Sequence, residues 1–255
     1  MSDIATQFAE NGFYHAKGLF NAAEVSVLEK DFEQIVTQLN NSNENIDATW
    51  NGTETRRIAS KNDTILHTHN VQKYSRNWLD AFLHSKFLHV AEQILGNDII
   101  LHHSKLFQKP SENGSPFPMH QDWSYFPTVK DTMIAGIIHV SNATDEMGCL
   151  RVYPGSHKLG RIEGSNGRQP NKILDQYPIK NAQVIEAEPG DVVFFHYFTL
   201  HGSMPNRSNK VRKTVLCQLY NGADHVEPEN NHPNERLVLQ GWNHHISRDE
   251  AGYKL

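Results

Sequence analysis

A mainly β protein with flanking helices is expected here, and three observations carry that expectation. From Asp98 onward, short apolar or alternating runs are separated by turn residues, as in a β-sandwich or barrel. Upstream of Asp98 the apolar residues recur at helical spacing instead. No fixed-period repeat and no strong linker divides the 255 residues, so the chain reads as one domain. Its parts are a helical stretch to about residue 97, a β core over about 98–222 and an extension over 223–255.

The elements follow in order. Asn21 with Glu24 three places later has the form of a capping box. Behind it Val25, Leu28, Phe32, Ile35, Val36 and Leu39 form one helical stripe. A second helix is expected to start near Ser85 and stop at Gly96, which suits a C-terminal cap. Between them, residues 40–64 are rich in Asn, Thr, Glu and Asp without apolar periodicity. They read as a surface loop, either a plain connection or a lid. Strands are expected over residues 99–107, 133–141, 149–153, 191–195 and 211–220. Pro189-Gly190-Asp191 and Pro205-Asn206 are turn signals. Residues 160–180 are polar, with several Gly and Pro, and read as a long inserted loop.

Composition excludes several function classes. A net charge of -5 opposes a general nucleic-acid binder, which wants a basic face. Two cysteines, Cys149 and Cys217, cannot build a disulfide framework. Residues 1–11 are polar and acidic, and the longest apolar runs fall far short of the ~20 residues of a membrane span. The expectation is a cytoplasmic protein with a small-molecule partner, no nucleic acid and no membrane; its oligomeric state stays open. The sixteen histidines are roughly three times an average share. Imidazole is the commonest metal ligand, so the excess directs attention to metal chemistry.

The common phosphate-loop, dinucleotide, zinc-protease, C-x-x-C and serine-elbow signatures are absent. What remains is His120-Gln121-Asp122. On a strand, residues i and i+2 share a face, so this imidazole and carboxylate can grip one ion together. His201, behind an apolar run and ahead of a turn, is the best third ligand. Two histidines and one carboxylate on one face of an octahedron are the ligand set of non-haem Fe(II) oxygenases, with the other face open to co-substrate and O₂. Arg212, on the strand after the turn that follows His201, can pair bidentately with a carboxylate. Ser203 can add a hydroxyl. A 2-oxo acid that chelates iron at one end and meets Arg212 at the other is 2-oxoglutarate. The plainer readings are a chance His-x-Asp pair and, for residues 206–213, a basic solvated turn that Arg207, Lys210 and Lys213 fit well.

Beyond these spacings, the sequence from about Lys105 to Tyr220 resembles the phytanoyl-CoA dioxygenase family of Fe(II)/2-oxoglutarate-dependent oxygenases. The resemblance rests on Pro118-Met119-His120-Gln121-Asp122 with Tyr125-Phe126-Pro127. It rests also on Met147-Gly148-Cys149-Leu150 with Tyr153-Pro154-Gly155-Ser156-His157-Lys158. The third segment is Gly190-Asp191-Val192-Val193-Phe194-Phe195-His196 with His201-Gly202-Ser203, and Arg212 falls at the family's spacing after it. The resemblance implies a double-stranded β-helix (jelly-roll, cupin-like) core with the metal at its open end. It implies His120, Asp122 and His201 as iron ligands, with Arg212 and Ser203 on the distal 2-oxoglutarate carboxylate. Ile138 would pack against the co-substrate, and Lys105, on a strand lining the same pocket, could reach the co-substrate or the substrate. One departure stands out. The lysine that the phytanoyl-CoA enzyme carries ahead of a Val-Gln pair is Asn70 here, ahead of Val71-Gln72. Asn70 would then stand at the outer part of the co-substrate pocket in place of that lysine, which alters that part of the pocket and speaks against a phytanoyl-CoA substrate.

The implied reaction turns 2-oxoglutarate into succinate and CO₂ and hydroxylates a C–H bond. Related halogenases lack the carboxylate that Asp122 supplies, so hydroxylation is expected over halogenation. Desaturation, ring closure and epimerisation use the same iron and stay open. A non-catalytic jelly-roll binding module is the alternative of another class, opposed by the intact His120, Asp122, His201 and Arg212. Strand parity sorts the other histidines. His139 should face outward if Ile138 faces the site, and His196 should face away from the metal. Only one of His102 and His103 can point inward, and His103 shares the parity of Lys105. His157 belongs on a turn; His244 and His245 belong at the surface. Trp123, Tyr125 and Arg151 could line a substrate pocket, the first two only if a turn follows Asp122.

Overall fold

The computed structural model describes residues 3–228 and 232–252. In chain order the strands are β1 (Phe13–Ala16), β2 (Leu66–His69), β3 (Ile99–Lys109), β4 (Phe117–His120), β5 (Ile134–His139) and β6 (Leu150–Val152). They continue as β7 (Gln183–Ile185), β8 (Val192–His196), β9 (His201–Ser203), β10 (Arg212–Asn221) and β11 (Leu237–Gln240). Two antiparallel sheets result. The larger has the order β1-β8-β5-β10-β3-β11, with β2 also on β3; the smaller has the order β4-β9-β6-β7. This is the expected mainly β fold, the face-to-face sheet pair of a jelly roll.

Each long strand is buried on both faces, and alternation decides what each face does. Ile134, Ile138, Val192, Phe194, Val215 and Cys217 face the helices, in one core with Phe32, Phe82 and Phe87. Ala135, Ile137, Val193, Phe195 and Leu216 face the smaller sheet, against Leu150, Val152 and Ile185. Burying each of the Val, Leu, Ile and Phe side chains among them contributes about 1.5–3 kcal/mol before the entropy of ordering is counted.

The helices cover the outer face of the larger sheet. Helix α1 (Ile4–Asn11) precedes β1, and α2 (Ala22–Asn40) starts at the expected capping box. Asn21 accepts from the Ala23 and Glu24 N–H groups, and the Asn21 N–H donates back to Glu24 at 2.7 Å. The whole stripe from Val25 to Leu39 is buried. Helices α3 (Arg76–Phe82) and α4 (Ser85–Leu95) follow, and α4 ends at Gly96 with φ 88°. Among the described residues no helix is long and apolar enough to cross a membrane.

Several boundaries differ from expectation. The helical N-terminal stretch contributes β1 and β2 to the sheet, and the C-terminal extension contributes β11. These strands have four residues each, too few for a period to show. Residues 160–180 carry two short 3₁₀ turns, Leu174–Gln176 and Ile179–Asn181. The β3–β10 ladder shifts register between Gln218 and Leu219, which face His103 and Leu101. His102 is therefore the extra residue of a β-bulge.

The turn before β8 ties the N-terminal segment to the sheet. Gly190 has φ 97°, and a Cβ there would lie 2.3 Å from the Phe20 carbonyl oxygen, so only glycine fits. The next residue, Asp191, accepts from Gly18 N–H at 2.8 Å and Glu188 N–H at 3.1 Å, and meets His15 Nε2 at 2.8 Å. Burial would raise the Asp191 carboxyl, but these donors outweigh it and hold the group below the usual carboxylate range. A depressed folded-state pKa means that this stabilisation is present at neutral pH and is lost as pH falls through that range. Asp191→Ala should lower stability by roughly 2–3 kcal/mol at pH 7, read from urea unfolding. The gap to the wild type should narrow below about pH 4.

Candidate functional site

The smaller sheet builds the metal-binding end. β4 and β9 pair antiparallel with His120 directly opposite His201, and the ring centroids are 4.1 Å apart. The strand stops at His120. Asp122 has helical dihedrals, φ -80° and ψ -24°, and leads into a 3₁₀ turn at Trp123–Tyr125. The carboxylate thus reaches the site from a turn, not from the i+2 position of a strand. Asp122 Oδ1 lies 3.3 Å from His120 Nε2 and 3.7 Å from His201 Nε2. One ligand atom from each of the three residues lies within 4.8 Å of the others.

Neighbouring groups fix the chemistry of each ligand atom. His120 Nδ1 is 2.8 Å from the Pro118 carbonyl, and His201 Nδ1 is 2.9 Å from the Thr199 carbonyl. A carbonyl only accepts, so each Nδ1 carries the proton and each Nε2 presents a lone pair. Burial holds His201 down at about 4, so its ring is neutral at pH 7. Burial opposes ionisation of the Asp122 carboxyl, and the Lys105 ammonium favours it. Gln218 on β10 donates to Asp122 Oδ2 at 2.8 Å, which leaves Oδ1 for the ion. Three acceptors converge on one point with no hydrogen between them. A divalent cation satisfies that arrangement, and the donor set suits iron.

The opposite end of the same cavity, whose volume is about 390 Å³, is built around Arg212 at the start of β10. Its guanidinium is buried, donates from Nη1 to the Gly148 carbonyl and keeps Nε without a partner. Burial brings it down to about 10, so it stays cationic at pH 7. Ser203 on β9 lines the same wall. Lys109, fully buried, donates to Ser203 Oγ at 2.6 Å and to the Met204 carbonyl at 2.8 Å. Burial, with Arg212 beside it, pushes the Lys109 ammonium well down.

Against this geometry, residues 8–214 match the model of the phytanoyl-CoA dioxygenase (PhyH) family. The chain belongs to that family. A probable phytanoyl-CoA dioxygenase of Caenorhabditis elegans is 35% identical over 147 residues, 52% of this chain and 47% of that one, so the chain aligns with about half of that relative. The peroxisomal phytanoyl-CoA dioxygenase of Bos taurus is 29% identical over 97% of this chain and 76% of its own. A probable alpha-ketoglutarate-dependent hypophosphite dioxygenase of Stutzerimonas stutzeri is 26% identical over 86% of this chain and 77% of its own. Among solved structures, the alpha ketoglutarate dependent carbocyclase SnoK superposes with a TM-score of 0.74 at 19% identity, over 93% of each chain. The epimerase SnoN, in complex with Fe3+, alpha ketoglutarate and nogalamycin RO, gives 0.73 at 19% identity, over 88% of this chain and 85% of that one. These structural likenesses show the jelly-roll fold. The PhyH family is one of Fe(II)/2-oxoglutarate oxygenases, and His120, Asp122 and His201 form the iron-binding triad that membership calls for.

Within this PhyH member, not every expected site residue reaches the cavity. His120, Asp122, His201, Ser203, Arg212 and Lys105 line it. Ile138 does not: it lies among the helix-facing residues, and its neighbours Ile137 and His139 line the cavity instead. The parity of β5 is the reverse of that expected, so His139 faces the site; burial holds its imidazole at about 3. Asn70 is also corrected. Its amide is spent on Glu235 at 2.8 Å, on Gln72 and on the Ser104 N–H, away from the cavity. His103 stands behind the wall. The bulge turns both His102 and His103 inward, so both rings pack on Phe126, with centroids 5.5 and 5.2 Å away. Tyr125 lines the cavity, carried there by the 3₁₀ turn. Trp123 turns to Ser165 and Arg151 to Asp145 and Ile179. His196 faces away, toward the Asp131 carbonyl, and His157 sits on a turn.

Other residues escaped the sequence reading. Gln218 shares the alternation of Arg212 on β10, and Lys109 shares that of Lys105 on β3, so parity would have pointed to both. Trp50 had no such signal. It comes from the 40–64 loop and meets the His120 ring edge-on at 4.4 Å. Gln218→Leu should lower Co(II) or Fe(II) affinity about 10–100-fold in anaerobic titration, because Asp122 loses the donor that orients it. His120→Ala should abolish tight binding; a mutant with wild-type affinity would refute the triad.

Proposed function

We propose that residues 1–255 form a single dioxygenase domain that uses Fe(II), 2-oxoglutarate and O₂ to hydroxylate an unactivated C–H bond of a small molecule, releasing succinate and CO₂. The observation that carries this reading is the polarity of one cavity. Three metal-seeking lone pairs lie at one end, and the guanidinium of Arg212 with the hydroxyl of Ser203 lies at the other. Iron with 2-oxoglutarate and O₂ supplies the oxidising chemistry when bound.

The chain's own residues do the rest. The Pro118 and Thr199 carbonyls hold both imidazoles with Nε2 toward the ion. Gln218 keeps Asp122 oriented. Arg212 and Ser203 receive the distal carboxylate of the co-substrate, and Lys109 holds the Ser203 hydroxyl in place. Ile137, Leu150, Phe195 and Leu216 give the cavity apolar walls. Trp50, packed on His120, Phe117 and Tyr125, walls the metal end. The bacterial relatives named as hypophosphite and 2-aminoethylphosphonate dioxygenases support a small substrate. The names of SnoK, a carbocyclase, and SnoN, an epimerase, support the second reading, in which the same iron chemistry ends in ring closure or epimerisation.

A screen of small molecules with Fe(II), ascorbate and 2-oxoglutarate should yield succinate in step with an oxidised product. Asp122→Gly should lose that product. Arg212→Met should raise the Kd for 2-oxoglutarate at least 30-fold, since a buried charge pair contributes about 2–5 kcal/mol. Undiminished hydroxylation by Asp122→Gly would overturn the reading.

A further inference from the structure

The cavity has a second set of cations that iron and 2-oxoglutarate leave unused. Lys105 on β3 and Arg168 at the mouth both line it. Among the described residues neither has a carboxylate within ion-pair distance, and Asp122, already turned to the metal, is the one acidic side chain on the cavity wall. Burial lowers the Lys105 ammonium to about 8, so it remains mainly cationic at pH 7.

Histidines surround Lys105. Its Nζ lies 3.2 Å from His232 Nε2. The His69 ring is 6.1 Å from that of His232 and 5.4 Å from that of His67. His69 Nε2 is buried without a hydrogen-bond partner. Burial holds His69 and His232 at about 4, so each ring is neutral at pH 7 and offers one N–H. A second metal site does not explain the cluster: among the described residues, only His120, Asp122 and His201 bring three ligand atoms within 4.8 Å.

Charge completes the argument. The 2-oxoglutarate dianion balances the iron dication, and Arg212 balances Asp122. Lys105 then stands in the occupied cavity with His232 as its hydrogen-bond partner but, among the described residues, with no carboxylate within ion-pair distance, whereas Arg168 is exposed and solvated. A half-buried ammonium is stabilised further by a directly paired anion, so an anion completes the site.

We infer that the Lys105–His69–His232 cluster receives the anionic head group, phosphonate or carboxylate, of a small organic substrate. Lys105, held by His232, supplies the charge, and the buried Nε2 of the neutral His69 ring supplies a hydrogen-bonding group beside it. The inference rests on the proposed function, because it assigns Arg212 to the co-substrate. A cavity of about 390 Å³ that also holds 2-oxoglutarate suits a compact anion rather than a long acyl chain.

The test is calorimetry on the anaerobic protein loaded with Fe(II) and saturating 2-oxoglutarate, with ethylphosphonate, propionate and neutral propionamide as probes. At least one anion should bind, and the tighter of the two names the head group; propionamide should bind at least tenfold more weakly. Lys105→Met should weaken that anion at least tenfold while changing 2-oxoglutarate affinity less than twofold, and Lys105→Arg should restore most of the loss. Three results would overturn the inference: no anion binding to the loaded protein, equal binding of propionamide, or a Lys105→Met effect that falls on 2-oxoglutarate instead. If 2-oxoglutarate itself does not bind, the proposed function fails first, and the two failures are thereby told apart.

Discussion

The pairing of β4 with β9 is the constraint on which the site depends. It sets His120 opposite His201, and the end of β4 at His120 lets the chain turn so that Asp122 comes back toward both rings. Three lone pairs at such distances repel one another unless a cation lies between them. The arrangement therefore has to be imposed by the rest of the fold. The Pro118 and Thr199 carbonyls lock the rings, and Gln218 reaches across from the larger sheet to hold the carboxylate. The two sheets are thus joined at the metal end by a hydrogen bond as well as by the apolar layer between them.

The larger sheet serves two environments. One face of β3, β5, β8 and β10 is apolar and carries the helices; the other is apolar toward the sandwich and polar toward the cavity. Lys105, Lys109, Arg212, Thr214 and Gln218 all come from β3 or β10, which pair over almost their full length. A single register therefore positions the cations and the carboxamide together. The bulge at His102 reverses the parity of β3 beyond that point and turns two histidines toward Phe126.

Much of the site was legible from spacing. His120, Asp122, His201 and Arg212 lie close to turns or at strand ends, where a short motif marks a position well. Ile138 was misplaced because β5 is apolar on both faces: Ile134, Ile137 and Ile138 look alike in sequence, and only packing tells which face holds helices. The error passed to His139, whose direction had been tied to that of Ile138. Asn70 was placed by its position ahead of Val71-Gln72, but its left-handed backbone, φ 57°, turns its amide to Glu235 and Ser104. Trp50 and His232 come from segments without periodicity, so nothing local announces their place at the cavity.

The sequence by itself determined the class of fold, the capped helices, the strands of the core and the ligand set, because each depends on local period or short spacing. Tertiary structure alone decided which face of β5 meets the cavity, that both His102 and His103 turn inward, and that Gln218 holds Asp122 and Lys109 holds Ser203. It alone gathered His69, His232 and Lys105 from three distant segments into one cluster. The physical reason is the same in each case. A strand buried on both faces carries no polarity signal of its own, and contacts between residues far apart in the chain are set by sheet register and loop path.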